Sequence, residues 1–431
     1  MRKAGNRILA DGVSVSNNTW ETGLANNDLV VGPTGGGKTR GYVLPNLLNS
    51  QESFLVTDSK GTLRKQVGGI LERRGFQVCE ISFTDLFHSQ WGYNPLNFIR
   101  WLPEKERYCE QDILTVAAVL VPVEDRKEPF WENAARNLLE ALIGYTLDCL
   151  PPEEHNLVSV AKLFAEAESG VLDELMHEYC VIKPESFAAM RWKFLQTCRK
   201  ADKMYGSILG ILAQKLSCFT FGDVQKLFLN PKQIDFAKLS HRPTALFLKV
   251  SDSDFSLQAL TSLFYTQALQ ALIAEADSRP DNRLKVPVRL YLDDFANLIV
   301  PDMDRTISII RSREISVSIV LQSVTQLEGL YGHAKAMTII DNCDHLLYLG
   351  GQSLETALFI GNKANKPAST ILSMPQGEGW LFERGALPRK VRRYDLKQHP
   401  LYRQLPEYAA AQQKENLAQL VPQQEPMVSG F

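Results

Sequence analysis

The sequence predicts an α/β fold with a mainly parallel sheet, interrupted by an inserted all-α domain. Three observations carry that prediction. Between residues 28 and 48 a short apolar run leads into a glycine-rich loop and then a helical segment. From about residue 104 to 236 the pattern is helical, with no convincing strand. Beyond 236, strand-length apolar runs resume, so one sheet is assembled from segments on both sides of the helical block.

Taken in order, residues 1–27 read as a lead-in with turns at Asp11-Gly12 and Asn17-Asn18. Asp28-Leu29-Val30-Val31 is a buried strand, and Arg40 to Leu48 is the helix after the glycine loop. Residues 53–57 form a continuous apolar strand that ends on Asp58. A helix over about 60–74 stops at Gly75, and 76–81 is the next strand. This alternation is that of a parallel sheet. Trp91-Gly92-Tyr93-Asn94-Pro95-Leu96 is a turn-rich exit. Helices are then predicted over 109–120, 130–147, 157–167, 170–179, 187–204 and 208–216, with prolines between several of them. Strands resume at 244–250, 288–292, 317–321 and 345–349, with helices over 256–275 and 302–312 among them. Residues 379–383 and 390–394 pair as a late hairpin, and from Pro406 one short helix leads into a disordered tail. The expected divisions are 1–103 and 237–405 for the two parts of the nucleotide-binding domain, 104–236 for the all-α insertion and 406–431 for the terminal helix and tail.

At 431 residues, 45% apolar and 22% charged, the chain is an ordinary globular protein of about two domains. A net charge of −2 argues against a uniformly basic surface but leaves room for a local basic channel. No apolar run has the length of a membrane span, and the first residues lack a signal-peptide core. Cysteines at 79, 109, 149, 180, 198, 218 and 343 show no C-x-x-C spacing, and the histidines are scattered. The expectation is a reduced, cytosolic compartment and no structural metal.

The chemistry is concentrated in Gly32-Pro33-Thr34-Gly35-Gly36-Gly37-Lys38-Thr39, which matches G-x-x-x-x-G-K-[ST] in the strand–loop–helix setting the motif requires. Glycines without side chains let successive backbone N–H groups turn inward around a phosphate chain, and the helix N-terminus adds its dipole. Lys38 is then the contact to the β- and γ-phosphates, and the Thr39 hydroxyl a ligand for Mg²⁺. A second half of the site is read at Asp293-Asp294, which end the apolar strand Arg289-Leu290-Tyr291-Leu292. Asp293 would face the metal and Asp294 would orient and deprotonate the attacking water, the alternative being a helix cap. Gln322 closes the following strand as a γ-phosphate sensor or a surface amide. Arg311 and Arg313 precede that strand, one of them a candidate arginine finger for a neighbour's nucleotide. Arg73-Arg74 and Arg392-Arg393 read as ordinary surface charge.

Several further segments are specific: Val56-Thr57-Asp58-Ser59-Lys60-Gly61, Tyr93-Asn94-Pro95-Leu96, Pro129-Phe130-Trp131-Glu132, Leu292-Asp293-Asp294-Phe295-Ala296-Asn297-Leu298, Leu321-Gln322-Ser323, Gln326-Leu327 and Tyr331-Gly332. Together with the glycine loop they make nearly the whole chain resemble the type IV secretion coupling proteins, the TraG/TraD-type conjugative DNA-transfer ATPases related to the HerA–FtsK DNA pumps. The resemblance implies a RecA-like P-loop NTPase domain with an inserted all-α domain. It implies ATP and Mg²⁺ as cofactors, and a homo-hexamer with nucleotide at subunit interfaces and DNA in a central channel. An isolated preparation is open to being a monomer. The implied partners are single-stranded DNA with its relaxase and the components of the secretion channel. By motif position, residues 32–39 with Arg40 bind the nucleotide, Thr39 and Asp293 hold the metal, and Lys38, Asp294, Gln322 and Arg311 carry catalysis. Position 294 is usually Glu in this family and here is Asp, one methylene shorter. The family usually carries an N-terminal transmembrane pair, absent here. That leaves either a naturally soluble member, cytoplasmic and held at the inner face of the bacterial membrane by a separate anchoring partner, or a trimmed chain; the first is the expectation. The competing reading is an adaptor that binds ATP with little hydrolysis and docks relaxase or effector proteins through the all-α domain.

Overall fold

The structure is a computed structural model that describes residues 5–124, 127–167, 169–198, 202–295 and 299–420. The stretch expected to be a lead-in is a hairpin, β1 (Asn6–Ala10) and β2 (Val13–Ser16), turning at Asp11-Gly12 with Gly12 at φ +67°. It is followed by the short helix α1 (Thr19–Thr22), capped by the Asn18 side chain. Then come β3 (Asp28–Val31), α2 (Leu44–Asn49), β4 (Ser53–Thr57), α3 (Leu63–Arg73) and β5 (Gln77–Ser82). Asp58 starts α3 by accepting the Thr62 and Arg64 N–H groups at 2.9 and 3.2 Å, and Gly75 at φ +85° ends the turn beyond it.

A two-residue pair, β6 (Trp101–Leu102) with β7 (Arg107–Tyr108), leads into the helical block. That block consists of α4 (Glu110–Leu120), α5 (Phe130–Cys149), α6 (Leu157–Ala165), α7 (Val171–Ile182), α8 (Phe187–Cys198), α9 (Asp202–Leu216) and α10 (Gly222–Phe228). The expected helices 187–204 and 208–216 divide differently, because α9 runs straight through Gly206. A Cβ there would meet nothing, so this glycine sits on an open helix face where its conformational cost is modest.

The chain returns to the sheet with β8 (Thr244–Lys249), the long α11 (Gln258–Asp277), β9 (Val288–Leu292) and α12 (Met303–Ile309). After β10 (Ile315–Leu321) come α13 (Val324–Tyr331), α14 (His333–Asp341), β11 (His345–Tyr348), α15 (Leu354–Ala364) and α16 (Ala368–Leu372). The expected late hairpin is β12 (Glu378–Glu383) and β13 (Arg389–Arg392), and α17 (Pro406–Leu420) follows. The tail expected to be disordered lies outside the described residues.

Nine strands form one sheet in the order β13-β12-β11-β3-β10-β9-β4-β8-β5. The seven from β11 to β5 are parallel, and the late hairpin extends the β11 edge in antiparallel fashion. Strand alternation sorts the core onto two faces. Leu29, Val31, Leu55, Leu290, Leu292 and Ile319 share one cluster with α11 and the helical block, through residues such as Leu138, Leu142 and Trp192. Val30, Phe54, Val56, Tyr291, Val320 and Leu347 pack on the other face with Tyr42, Leu47, Val67 and Leu71. The Tyr93-Asn94-Pro95 segment ties the helical block to the sheet domain. Tyr93 donates to the Gln267 amide oxygen at 2.6 Å, Gln267 donates back to Pro95 O at 3.0 Å, and Asn94 donates to His155 O at 2.7 Å. Among the described residues, no helix is long and apolar enough to cross a membrane.

A buried charge network clamps the N-terminal ends of β3, β10 and β9. Asp28 on β3 meets Arg7 at 2.7 Å and Arg289 at 3.5 Å, accepts from Tyr42, and faces His345 at 3.2 Å. Arg289 also pairs with Glu52 at 3.0 Å and donates to Ser318 at 3.2 Å. Burial alone would raise the Asp28 carboxyl, but Arg7, the His345 hydrogen bond and Arg289 outweigh it and hold the group well below the usual carboxylate range.

Candidate nucleotide-binding site

Parallel strands put their C-terminal ends on one side of the sheet, the side where such folds bind ligands. The loop after β3 turns there. Gly32 donates to Leu321 O at 3.1 Å, fixing the loop to the end of β10. Gly35 and Gly37 have φ of +76° and +87°, the left-handed region where a side chain is strained. The chain then enters a π-type turn, Thr39–Val43, that continues as α2. Lys38 is buried, and its ammonium donates to the loop carbonyls of Gly32 and Pro33 at 2.7 and 3.1 Å. Burial pushes its pKa down from the ordinary lysine range, while Asp293 and Asp294 pull it back up.

The acid pair of β9 arrives at the same place. Thr39 donates its hydroxyl to Asp293 at 2.8 Å, joining groups 254 positions apart in the chain. Asp293 is buried, and that burial, with the neighbouring Asp294 charge, pushes its carboxyl up to about 6. Two adjacent acids beside a hydroxyl are a hard-oxygen donor set of the kind that suits Mg²⁺. Asp294 has φ +52°, a left-handed conformation that Asp tolerates better than most residues, and accepts from Ser59 at 3.1 Å. This contact explains why Ser59, in the segment after β4, belongs to the site.

The loop, the acids and Gln322 line one groove of about 700 Å³, together with Arg40, Asp58, Lys60 and Arg393. Gln322, at the end of β10, exposes its side chain there, and its backbone N–H is held by the Gln326 amide at 2.9 Å. Arg40 lines the groove but is engaged by Glu407 of α17 in a two-pronged pair, at 2.5 and 2.8 Å. Arg311 is elsewhere. It lies in the 3-10 turn before β10 and donates to Gly23 O at 2.6 Å. The seven residues of β10, about 23 Å of extended chain, separate it from Gln322. Within this chain it does not reach the groove. Arg313 is occupied by Asp277 at 2.7 and 3.0 Å.

Of the other specific segments, Phe295 stacks on Tyr331 with centroids 6.1 Å apart, and Tyr331 both donates to and accepts from the Val300 backbone at 3.1 and 3.0 Å. These contacts hold Phe295 and Val300 against Tyr331 of α13. Ala296, Asn297 and Leu298 lie outside the described residues. Two site residues escaped the sequence reading. Arg393, read as surface charge, rests on the glycine loop, and Glu407 ties the last helix to Arg40. Neither has a local motif to mark it.

The family model described as "Type IV secretory system Conjugative DNA transfer" matches residues 1–364. Protein VirD4 of Agrobacterium fabrum (strain C58 / ATCC 33970) is 27% identical over 361 residues, covering 80% of this chain and 51% of that protein. The chain thus spans about half the length of the curated relatives it matches. Among solved structures, the bacterial conjugative coupling protein TrwB in its unbound monoclinic form superposes with a TM-score of 0.69 at 17% identity, covering 93% of this chain and 90% of that one. The plasmid coupling protein TrwB in complex with ADP and Mg²⁺ gives 0.67 at 17% identity, covering 91% and 90%. These two are likenesses of fold.

Proposed function

The chain belongs to the type IV secretory system conjugative DNA transfer family, and from that membership we propose that it is an ATP-driven coupling protein delivering conjugative DNA, with its relaxase, to a secretion channel. One observation carries the nucleotide half of this reading: the Thr39 hydroxyl and the Asp293 carboxylate meet at 2.8 Å beside Lys38. A magnesium ion held by Thr39 and Asp293 would neutralise charge on the phosphate oxygens. The loop N–H groups of residues 35–39 cradle the phosphates, and Lys38 exchanges its contacts with Gly32 and Pro33 for phosphate oxygens. Asp294, steadied by Ser59, accepts the proton of the attacking water, and Gln322 reads the terminal phosphate. Arg311, half-buried and outside its own groove, would then act in trans, as a finger toward a neighbour's nucleotide within a ring.

The test is phosphate release by the purified chain with Mg-ATP, with and without single-stranded DNA. The expected result is DNA-stimulated hydrolysis that Lys38→Ala abolishes. Hydrolysis indifferent to DNA argues against a DNA motor. Tight ATP binding without turnover transfers the reading to an adaptor that recruits relaxase or effector proteins.

A further inference from the structure

Arg393 follows β13 and lies across the glycine loop. Its Nη1 donates to Gly36 O at 3.1 Å, and its backbone N–H donates to Gly377 O at 2.7 Å. A Cβ on Gly37 would sit 2.2 Å from Arg393 Nη1, and one on Gly41 would sit 2.6 Å from Arg393 Cγ. Gly41 stands outside the phosphate-loop motif and has an ordinary φ, so the passing arginine side chain accounts for the missing Cβ there. Among the described residues no carboxylate lies within ion-pair distance of this guanidinium, whereas Arg40, also on the groove wall, is held by Glu407. A guanidinium has five N–H donors, and one contact to a carbonyl leaves most of them for another acceptor.

We propose that Arg393 is a nucleotide-contacting residue, a second cation brought to the phosphate loop from the far edge of the sheet. It grips the part of the phosphate chain that di- and triphosphates share, where the loop and first helical turn cradle the α- and β-phosphates. Lys38 serves the β- and γ-phosphates, so the two cations divide the chain between them. Arg393 therefore strengthens binding of ADP and ATP alike, as a contact made equally in both states. The assignment rests on the groove being a nucleotide site.

The experiment titrates ADP and a non-hydrolysable ATP analogue, each with Mg²⁺, against the full chain and its Arg393→Ala, Arg393→Gln and Arg393→Lys variants. Charge-assisted hydrogen bonds of this kind give an expected loss of about 10- to 100-fold in affinity for Ala and Gln, equal for both nucleotides. Lys recovers much of it at low salt, and the gap between Lys and Ala narrows as salt is raised. Gln removes the charge but keeps an N–H donor on a shorter side chain. A Gln variant that binds like the unaltered chain overturns the proposal and makes Arg393 a pin for the loop. Ala binding like the unaltered chain overturns it too. If the unaltered chain binds neither nucleotide, the nucleotide-site reading falls and this assignment with it.

Discussion

Replacing Arg289 by Met should destabilise the fold by about 3–5 kcal/mol while sparing the nucleotide groove. Arg289 is fully buried on β9 and bridges Asp28, Glu52 and Ser318. Met fills similar volume, so the loss is electrostatic rather than a cavity. Asp28 keeps Arg7 at 2.7 Å, but Glu52, with 8% of its surface exposed, loses its cation and, among the described residues, its carboxylate retains only the neutral Asn17 amide at 3.1 Å. The main cost is that of one orphaned buried carboxylate, with the Asn26 carbonyl also losing its Arg289 donor at 2.8 Å, and it is a large share of the 5–15 kcal/mol typical of a domain. The site is far enough to be spared, because the four residues from Arg289 to Asp293 span about 13 Å of extended strand. The assay is urea denaturation of the full chain, with ADP affinity measured in parallel without urea. Adding Glu52→Gln to Arg289→Met removes the orphan charge and should restore at least half of the loss. A loss under about 1 kcal/mol, or no rescue by Glu52→Gln, refutes the view that unpaired charge carries the effect.

Two further outcomes test other parts of the molecule. Asp294→Asn removes the proposed proton acceptor but keeps a group that Ser59 can hold, so turnover should fall about 100-fold or more, with ADP binding changed less than threefold. Retained hydrolysis would mean that another group takes the proton. His399, buried near Arg74 and accepting from the Leu401 N–H at 3.1 Å, has its pKa lowered from 6.5 to about 4, by burial first and by Arg74 second. The unfolded chain therefore binds more protons than the folded one between these values. Its contribution is complete above about 6.5 and is lost as pH falls toward about 4. Urea midpoints measured down that range should fall less steeply in His399→Phe, and identical slopes would contradict the assignment.

Much of the site was legible because hydropathy and chemistry coincide at certain strand ends. The apolar run of β3 stops at Gly32, that of β9 at Asp293 and that of β10 at Gln322, so the first polar or flexible residue is the one the sheet delivers to the groove. Other features were hidden for physical reasons. The hairpin β1–β2 carries Arg7 as a buried residue, and a buried arginine is indistinguishable by hydropathy from a solvated one. The left-handed backbone of Asp294 and its contact to Ser59 depend on β4 and β9 being neighbours, which strand signals alone do not decide.

Arg393 is the instructive omission. β13 is antiparallel to β12, which is antiparallel to β11, so β13 runs in the same direction as β3, β10 and β9. Its C-terminal end emerges on the ligand side of the sheet, and Arg393 is the residue immediately after it, as Gly32, Asp293 and Gln322 are after theirs. β13 reads Arg-Lys-Val-Arg, largely exposed as an edge strand, and without an apolar run nothing in the sequence signals that a strand ends there. The delivery of side chains to the groove is set by strand direction, which edge and central strands share. Hydropathy reports only which strands are buried. Strand direction therefore brings Arg393 to the groove that Lys38 lines, whereas hydropathy marks it only as a surface charge.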